Sequence, residues 1–77
     1  MGKIEECVRL RVAEGRLPAS PSLVVWAADG RGERCAACDA RIRGSEMNVE
    51  CDVEGGGRFS FHVACYRAWH AQISVPS

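Results

Sequence analysis

The sequence predicts a small α+β domain in which a β-hairpin lies between two helices. The chain has 77 residues, so it forms one domain at most. Apolar and polar residues alternate along 46–61, which is typical of two strands with one buried face. On either side, apolar residues recur at spacings of three and four, which indicates helices. A chain this short buries only about 60% of its unfolded surface, so we expect an additional crosslink.

The first predicted helix covers residues 3–14. Gly15 and Pro18 follow it and supply a stop signal. Residues 16–34 then form a connector, in which the apolar run 23–26 is either a strand or a segment laid across the core. An isolated helix of this length is marginally stable in water, so we expect it to pack on the rest of the chain. Four apolar residues are available for that contact: Ile4, Cys7, Val8 and Leu10.

The predicted hairpin covers residues 46–61, with its turn at Gly55–Gly57. Phe59 and Phe61 share the apolar face of the second strand. A helix follows over about residues 63–73, and its apolar stripe again has helical spacing. The apolar face of the first strand consists of Met47, Val49, Cys51 and Val53.

Five cysteines suggest a crosslink. Whether it is a disulfide or a bound metal depends on whether the cellular compartment is oxidising or reducing. The first fifteen residues carry charges throughout and lack the apolar segment of a secretory signal. No stretch approaches the roughly 18 apolar residues of a membrane span. We therefore expect a cytoplasmic protein with no membrane contact, where cysteines more often serve metal or redox chemistry than disulfides.

Two pairs of candidate ligands share one spacing. Cys35 and Cys38 form a CxxC pair, and His62 and Cys65 form an HxxC pair where the second strand passes into the helix. Three thiolates and one imidazole are a common tetrahedral set for one structural Zn²⁺ ion. Cys51 is the alternative to His62, but the alternation places it on the apolar face, where a free cysteine behaves as a small hydrophobic residue.

The order of CxxC, hairpin, HxxC and helix resembles the treble-clef zinc finger. The spacing C-x2-C-x23-H-x2-C, with Phe61 before His62, is also similar to the first half of a LIM module. The resemblance covers residues 35–69, under half of the chain. It departs from LIM at Ala68, where the next cysteine would stand. The segments GRLP and FHVACYRAW also look like those of small bacterial zinc-binding proteins that have no assigned activity.

The resemblance implies a zinc-stabilised, treble-clef-like module over residues 35–73. Residues 1–34 would supply the helix and connector that pack on it, and residues 74–77 a tail. Four ligands would close the zinc shell, and the chain contains neither HExxH nor the HxE of zinc deaminases. We therefore expect no enzyme activity.

The net charge helps to distinguish a protein-binding module from a nucleic-acid-binding one. Ten basic and ten acidic residues leave no net charge, which disfavours electrostatic capture of nucleic acid. We expect a structural-zinc module that mediates interaction with an unidentified protein in a bacterial cytoplasm. One alternative is a nucleic-acid binder, if arginines converge on one surface. A second is a thiol redox protein that uses Cys35 and Cys38, although the βαβ context of such proteins is missing. The sequence predicts no oligomeric state.

Overall fold

The computed structural model describes residues 2–20, 22–53 and 57–74, in which two helices and five strands follow one another. The strands form one antiparallel sheet in the order β1-β4-β5 and a short antiparallel pair, β2-β3. This architecture confirms the predicted α+β class. The elements are α1 (Lys3–Ala13), β1 (Ser22–Asp29), β2 (Glu33–Arg34), β3 (Arg41–Ile42), β4 (Met47–Val53), β5 (Arg58–His62) and α2 (Val63–Ser74).

The predicted hairpin is formed by β4 and β5. Its register pairs Val49 with Phe61 and Cys51 with Phe59. Because side chains alternate across a strand, these four residues lie on one face of the sheet. Val49, Cys51 and Phe61 are buried there. Of the predicted turn, Gly55 and Gly56 lie outside the described residues.

The first residues of β4 differ from the prediction. Met47 was expected on the buried face but is 51% exposed, whereas the polar Asn48 beside it is fully buried. The β2-β3 pair explains this burial, because the Glu33 Oε2 atom accepts a hydrogen bond from Asn48 Nδ2 at 3.0 Å. Glu50 Oε1 accepts a second bond from the same nitrogen, also at 3.0 Å. Both faces of the sheet are therefore covered near Asn48.

The connector contains a full strand, which decides between its two predicted forms. β1 pairs with β4 antiparallel, from Val24 opposite Asp52 to Asp29 opposite Met47. It forms one edge of the sheet. Gly30 ends it, and a Cβ atom there would overlap the carbonyl oxygen of Arg43. Glycine is therefore required where the chain turns from β1 into β2.

The two helices pack against each other, and α2 also contacts β4 and β5. Trp69 of α2 is fully buried and stacks on Phe61, with ring centroids 5.2 Å apart. Its Nε1 atom donates to the carbonyl oxygen of Pro18 at 2.9 Å, which ties the connector to the helix. Val8 is the buried residue of α1.

Both helices have nearly the predicted lengths. α1 ends at Ala13, and Gly15 has the positive φ, 78°, of a helix stop. α2 continues to Ser74, and the rest of the predicted tail, 75–77, lies outside the described residues. Within the described part of the chain, neither helix has the length and apolar character that crossing a membrane requires.

Candidate metal centre

The structure brings the two predicted ligand pairs together. Cys35 and Cys38 lie between β2 and β3, His62 ends β5, and Cys65 lies in the first turn of α2. The ligand atoms of all four side chains lie within 4.8 Å of one another. Cys35 and Cys65 are buried, and the other two are half-buried. These four residues, called the Cys3His cluster below, form a possible metal site.

The turn that carries the first pair is closed by backbone hydrogen bonds. The Cys35 N–H donates to the Ala40 carbonyl, and the Asp39 N–H donates to the Cys35 carbonyl, both at 2.9 Å. Asp39 has a positive φ of 67°, which allows the chain to reverse. The Ala36 N–H donates to the Ser60 carbonyl at 2.8 Å. The turn is thereby fixed to the outer edge of β5, two residues before His62.

The N-terminal helix also holds this turn. Arg11 Nη1 donates to the Ala36 carbonyl at 3.1 Å, across 25 residues of sequence. Ala37, beside it, is fully buried. The position of the CxxC pair therefore depends on α1 as well as on β5.

The His62 ring is oriented by hydrogen bonding at its outer nitrogen. Nδ1 lies 3.4 Å from Cys38 Sγ, while Nε2 lies 3.3 Å from the Arg41 carbonyl oxygen. In a tetrahedral zinc site a sulfur and an imidazole nitrogen are about 3.6 Å apart, given the usual bond lengths. An Nε2–H that donates to Arg41 leaves Nδ1 free to bind a metal, which is the usual arrangement around metal-bound histidines. Glu46 Oε1 lies 3.6 Å from Nε2 and adds a negative charge beside the ring.

The three thiols influence one another strongly. A hydrogen bond from the Cys65 thiol lowers the pKa of Cys35 to about 4. The pKa of Cys65 is raised because its thiol donates this hydrogen bond to the Cys35 sulfur, and burial raises the pKa of Cys38. The Cys35 thiol therefore ionises most readily of the three. A bound metal would bring all three to the thiolate form and release the remaining protons.

The same thiolate acts on the histidine. Burial alone would lower the pKa of His62, but the hydrogen bond and negative charge of Cys35, helped by the Arg41 carbonyl and Glu46, raise it above its usual value. The neighbourhood thus favours positive charge at the ring. The ring would have to lose that proton before Nδ1 could bind a metal.

The other cysteines and His70 lie apart from the cluster. Cys51 is fully buried opposite Phe59, and burial raises the pKa of its thiol. Cys7 is half-buried on α1. His70 is exposed, with its ring centroid 5.9 Å from that of Tyr66. Among the described residues, His62 and not Cys51 joins the three other candidate ligands.

The residues that support the cluster were not identified from the sequence. Arg11, Ser60 and Arg41 act through hydrogen bonds that join segments distant in the chain. Glu46 belongs to the acidic stretch 45–57, and nothing in its spacing relates it to His62. Such contacts depend on tertiary packing, so they cannot be predicted from the spacing of the candidate ligands in the sequence.

The Cys3His cluster offers three sulfur donors and one nitrogen donor from the β2–β3 turn, the end of β5 and the start of α2, a set suited to a soft or borderline metal ion. Its chemistry is that of a possible structural metal module. The relation to treble-clef fingers stays a resemblance, because comparison of the chain with family models, curated proteins and solved structures found no match.

Proposed function

We propose that the chain binds one Zn²⁺ ion through Cys35, Cys38, His62 and Cys65, and that this ion holds the fold together. The convergence of the four ligand atoms within 4.8 Å is the observation that carries the proposal. The donor types are those of structural zinc sites, and the His62 ring has the outer-nitrogen partner usual for a ligand. The order of turn, hairpin and helix supports a treble-clef-like arrangement around the ion.

A closed shell of four protein ligands suits a structural role. Catalytic zinc keeps one position for water or substrate, whereas four protein ligands fill the tetrahedron. The proposed domain is therefore not an enzyme. Structural zinc contributes about 10–16 kcal/mol of apparent binding free energy in finger peptides. A domain of this size has about 5 kcal/mol of stability, so the metal-free chain should be unfolded or molten.

Elemental analysis and circular dichroism test this proposal with two matched substitutions. Cys38→Ala removes a proposed ligand, and Cys51→Ala removes a buried cysteine outside the cluster. We expect one zinc per chain in the parent and in Cys51→Ala, and much less in Cys38→Ala. Chelation with thiol blocking should abolish the cooperative thermal transition of the parent.

Two results would contradict the structural-zinc role. One is a cooperative melt that is unchanged after the metal has been removed. The other is full zinc occupancy in Cys38→Ala. Loss of zinc in Cys51→Ala would instead show that Cys51 replaces His62 as the fourth ligand. Cobalt substitution adds an independent check, because tetrahedral thiolate-bound cobalt has a characteristic visible absorption.

We further propose that the folded domain acts by binding another protein. Its charge is balanced, and it exposes apolar side chains on β1, at the start of β4 and on α1. The acidic side of the hairpin is partly neutralised, since Arg58 Nε lies 3.1 Å from Asp52 Oδ1. The largest exposed apolar side chains are Leu10, Val24, Val25 and Met47.

The two alternatives have less support. Several arginines that a nucleic acid would need are held by the protein itself: Arg11 by Ala36, Arg41 by Gly32 and Arg34 by Asp39. A steep fall in DNA or RNA affinity with salt would favour that alternative. The redox alternative needs an unligated Cys35 and Cys38. Stoichiometric zinc with no titratable thiol at these positions would exclude it.

Affinity capture with zinc-loaded and metal-free bait tests the protein-binding role. A partner should be retained only by the zinc-loaded chain and should bind again when both proteins are purified. Retention of nucleic acid that nuclease treatment removes would contradict this role.

A further inference from the structure

The free edge of β1 is an unpaired strand on the described surface. The sheet order is β1-β4-β5, so β1 has a neighbour on one side alone. The opposite edge differs, because the Ala36 N–H donates to the Ser60 carbonyl of β5 and covers that strand. Edge strands are usually guarded by lysine, proline or inward-pointing charge. From Val24 to Ala28 β1 carries none of these.

The hydrogen-bond pattern shows which residues of β1 face outwards. The Gly30 N–H donates to the Glu46 carbonyl at 2.9 Å. In an antiparallel ladder alternate residues point their N–H and C=O groups to the same neighbour, so Ala28 and Trp26 also point towards β4. Val25, Ala27 and Asp29 therefore direct both backbone groups to the free edge. The hydrogen bonds between β4 and β5 agree with this assignment. The Val53 N–H donates to the Gly57 carbonyl, so the odd-numbered residues of β4 bond to β5 and the even-numbered ones face β1.

We propose that two copies of this chain associate by pairing their β1 strands antiparallel, about a two-fold axis at Ala27. This inference goes beyond the proposed function and requires only the folded chain. Pairing Ala27 with Ala27 of the second copy sets Val25 opposite Asp29 and Asp29 opposite Val25. In this register each of the three outward-facing residues, Val25, Ala27 and Asp29, lies opposite an outward-facing residue of the second copy. The three pairs of residues form about six backbone hydrogen bonds. The edge is thus complementary to itself.

Side chains and charge favour the same register. Trp26 of one copy lies opposite Ala28 of the other, so a large residue meets a small one on one face of the joined sheet. The two Asp29 carboxylates are four residues apart along the strands, about 14 Å. That distance exceeds the Debye length of about 8 Å at physiological ionic strength, so their repulsion is largely screened. A register centred on Asp29 would instead set the two carboxylates side by side.

The area involved predicts a weak association. At one hydrogen bond per 100–200 Å², about six bonds correspond to about 600–1,200 Å² of buried surface. Interfaces of this size are small and typically transient. The association should therefore depend on concentration and appear at high micromolar protein.

Sedimentation of the zinc-loaded chain tests the proposal. The parent mass should rise from 8.4 kDa towards twice that value between low micromolar and near-millimolar concentration. Ala27→Lys sets two like charges directly opposite at the axis and should keep the chain monomeric over that range. Ala28→Lys is the matched control, since Ala28 points its backbone towards β4 and lies opposite Trp26, and it should associate as the parent does.

A charge exchange makes the test specific to the register. Ala27→Glu alone should also stay monomeric, whereas an equimolar mixture of Ala27→Glu and Ala27→Lys should associate at least as well as the parent. Zinc content and circular dichroism verify that each variant is folded, so failure of the zinc proposal is recognised separately. The proposal is overturned if the folded parent stays monomeric, if Ala27→Lys associates by itself, or if the mixture does not associate.

Discussion

The two tryptophans, Trp26 and Trp69, should differ sharply in their contribution to stability. Trp69 is fully buried between the rings of Phe61 and Tyr66, with centroids 5.2 Å and 5.9 Å from its own. Its Nε1–H is bonded to the Pro18 carbonyl. Substituting Trp69→Phe keeps an aromatic ring but removes the donor and the second ring of the indole.

The cost follows from those two losses. A net intramolecular hydrogen bond contributes about 1 kcal/mol. The space left by the indole is up to about 40 Å³, and at about 24 cal/mol per Å³ it costs about 1 kcal/mol more. The free energy of unfolding of the zinc-loaded protein should therefore fall by about 2 kcal/mol. Since 1 kcal/mol corresponds to about 4–8 °C in a domain this small, the Tm should drop by about 8–16 °C.

Trp26→Phe is the matched control. Trp26 is half-buried on the other face of the sheet, with the Arg58 guanidinium 4.9 Å from its ring centroid. An exposed contact of this kind is worth about 0.5–1 kcal/mol, and phenylalanine keeps part of it. Denaturant unfolding followed by circular dichroism measures both variants. Equal losses in the two, or a loss below about 0.5 kcal/mol for Trp69→Phe, would refute the assigned packing.

Two further predictions concern the turn between β1 and β2 and the contact of α1 with the turn that bears Cys35 and Cys38. Gly30→Ala should destabilise the domain by about 2 kcal/mol or more, because the added Cβ meets the Arg43 carbonyl, whereas Gly44→Ala should cost little. Thermal melts of both variants check this, and a tolerated Gly30→Ala would mean that the turn is built differently. Arg11→Met should lower the free energy of unfolding by about 1 kcal/mol through loss of its bond to Ala36, while Arg9→Met should change it little. Equal stabilities for the two arginine variants would contradict a bracing role for α1.

The local patterns carried much information about the fold. Alternation from Val49 to Val53 predicted a strand with one buried face, because side chains on adjacent residues of a strand must point to opposite sides. The spacing of two within each ligand pair indicated a shared ion, because a single turn brings both donors to the same side. These signals reside in neighbouring residues, so they can be recognised without knowledge of the rest of the chain.

Local patterns could not predict which segments distant in the sequence pair or pack with each other. The apolar run of β1 fitted either a strand or a segment across the core, and only pairing with β4 decides between them. Asn48 looked solvent-facing by alternation, yet it is buried because β2 and β3 cover that side of the sheet. Contacts of this kind join residues that chain order does not relate.

The sequence by itself determined the two helices, the β4-β5 hairpin and the two pairs of candidate ligands, since periodicity and ligand spacing are properties of a few adjacent residues. The tertiary structure decided that the pairs converge and that His62 and not Cys51 completes the described cluster. It also decided that, among residues 2–20, 22–53 and 57–74, one edge of the sheet is covered and the other is open. Those outcomes depend on how separate segments pack. The turn bearing Cys35 and Cys38 lies on β5 because Arg11 and Ser60 hold Ala36 there.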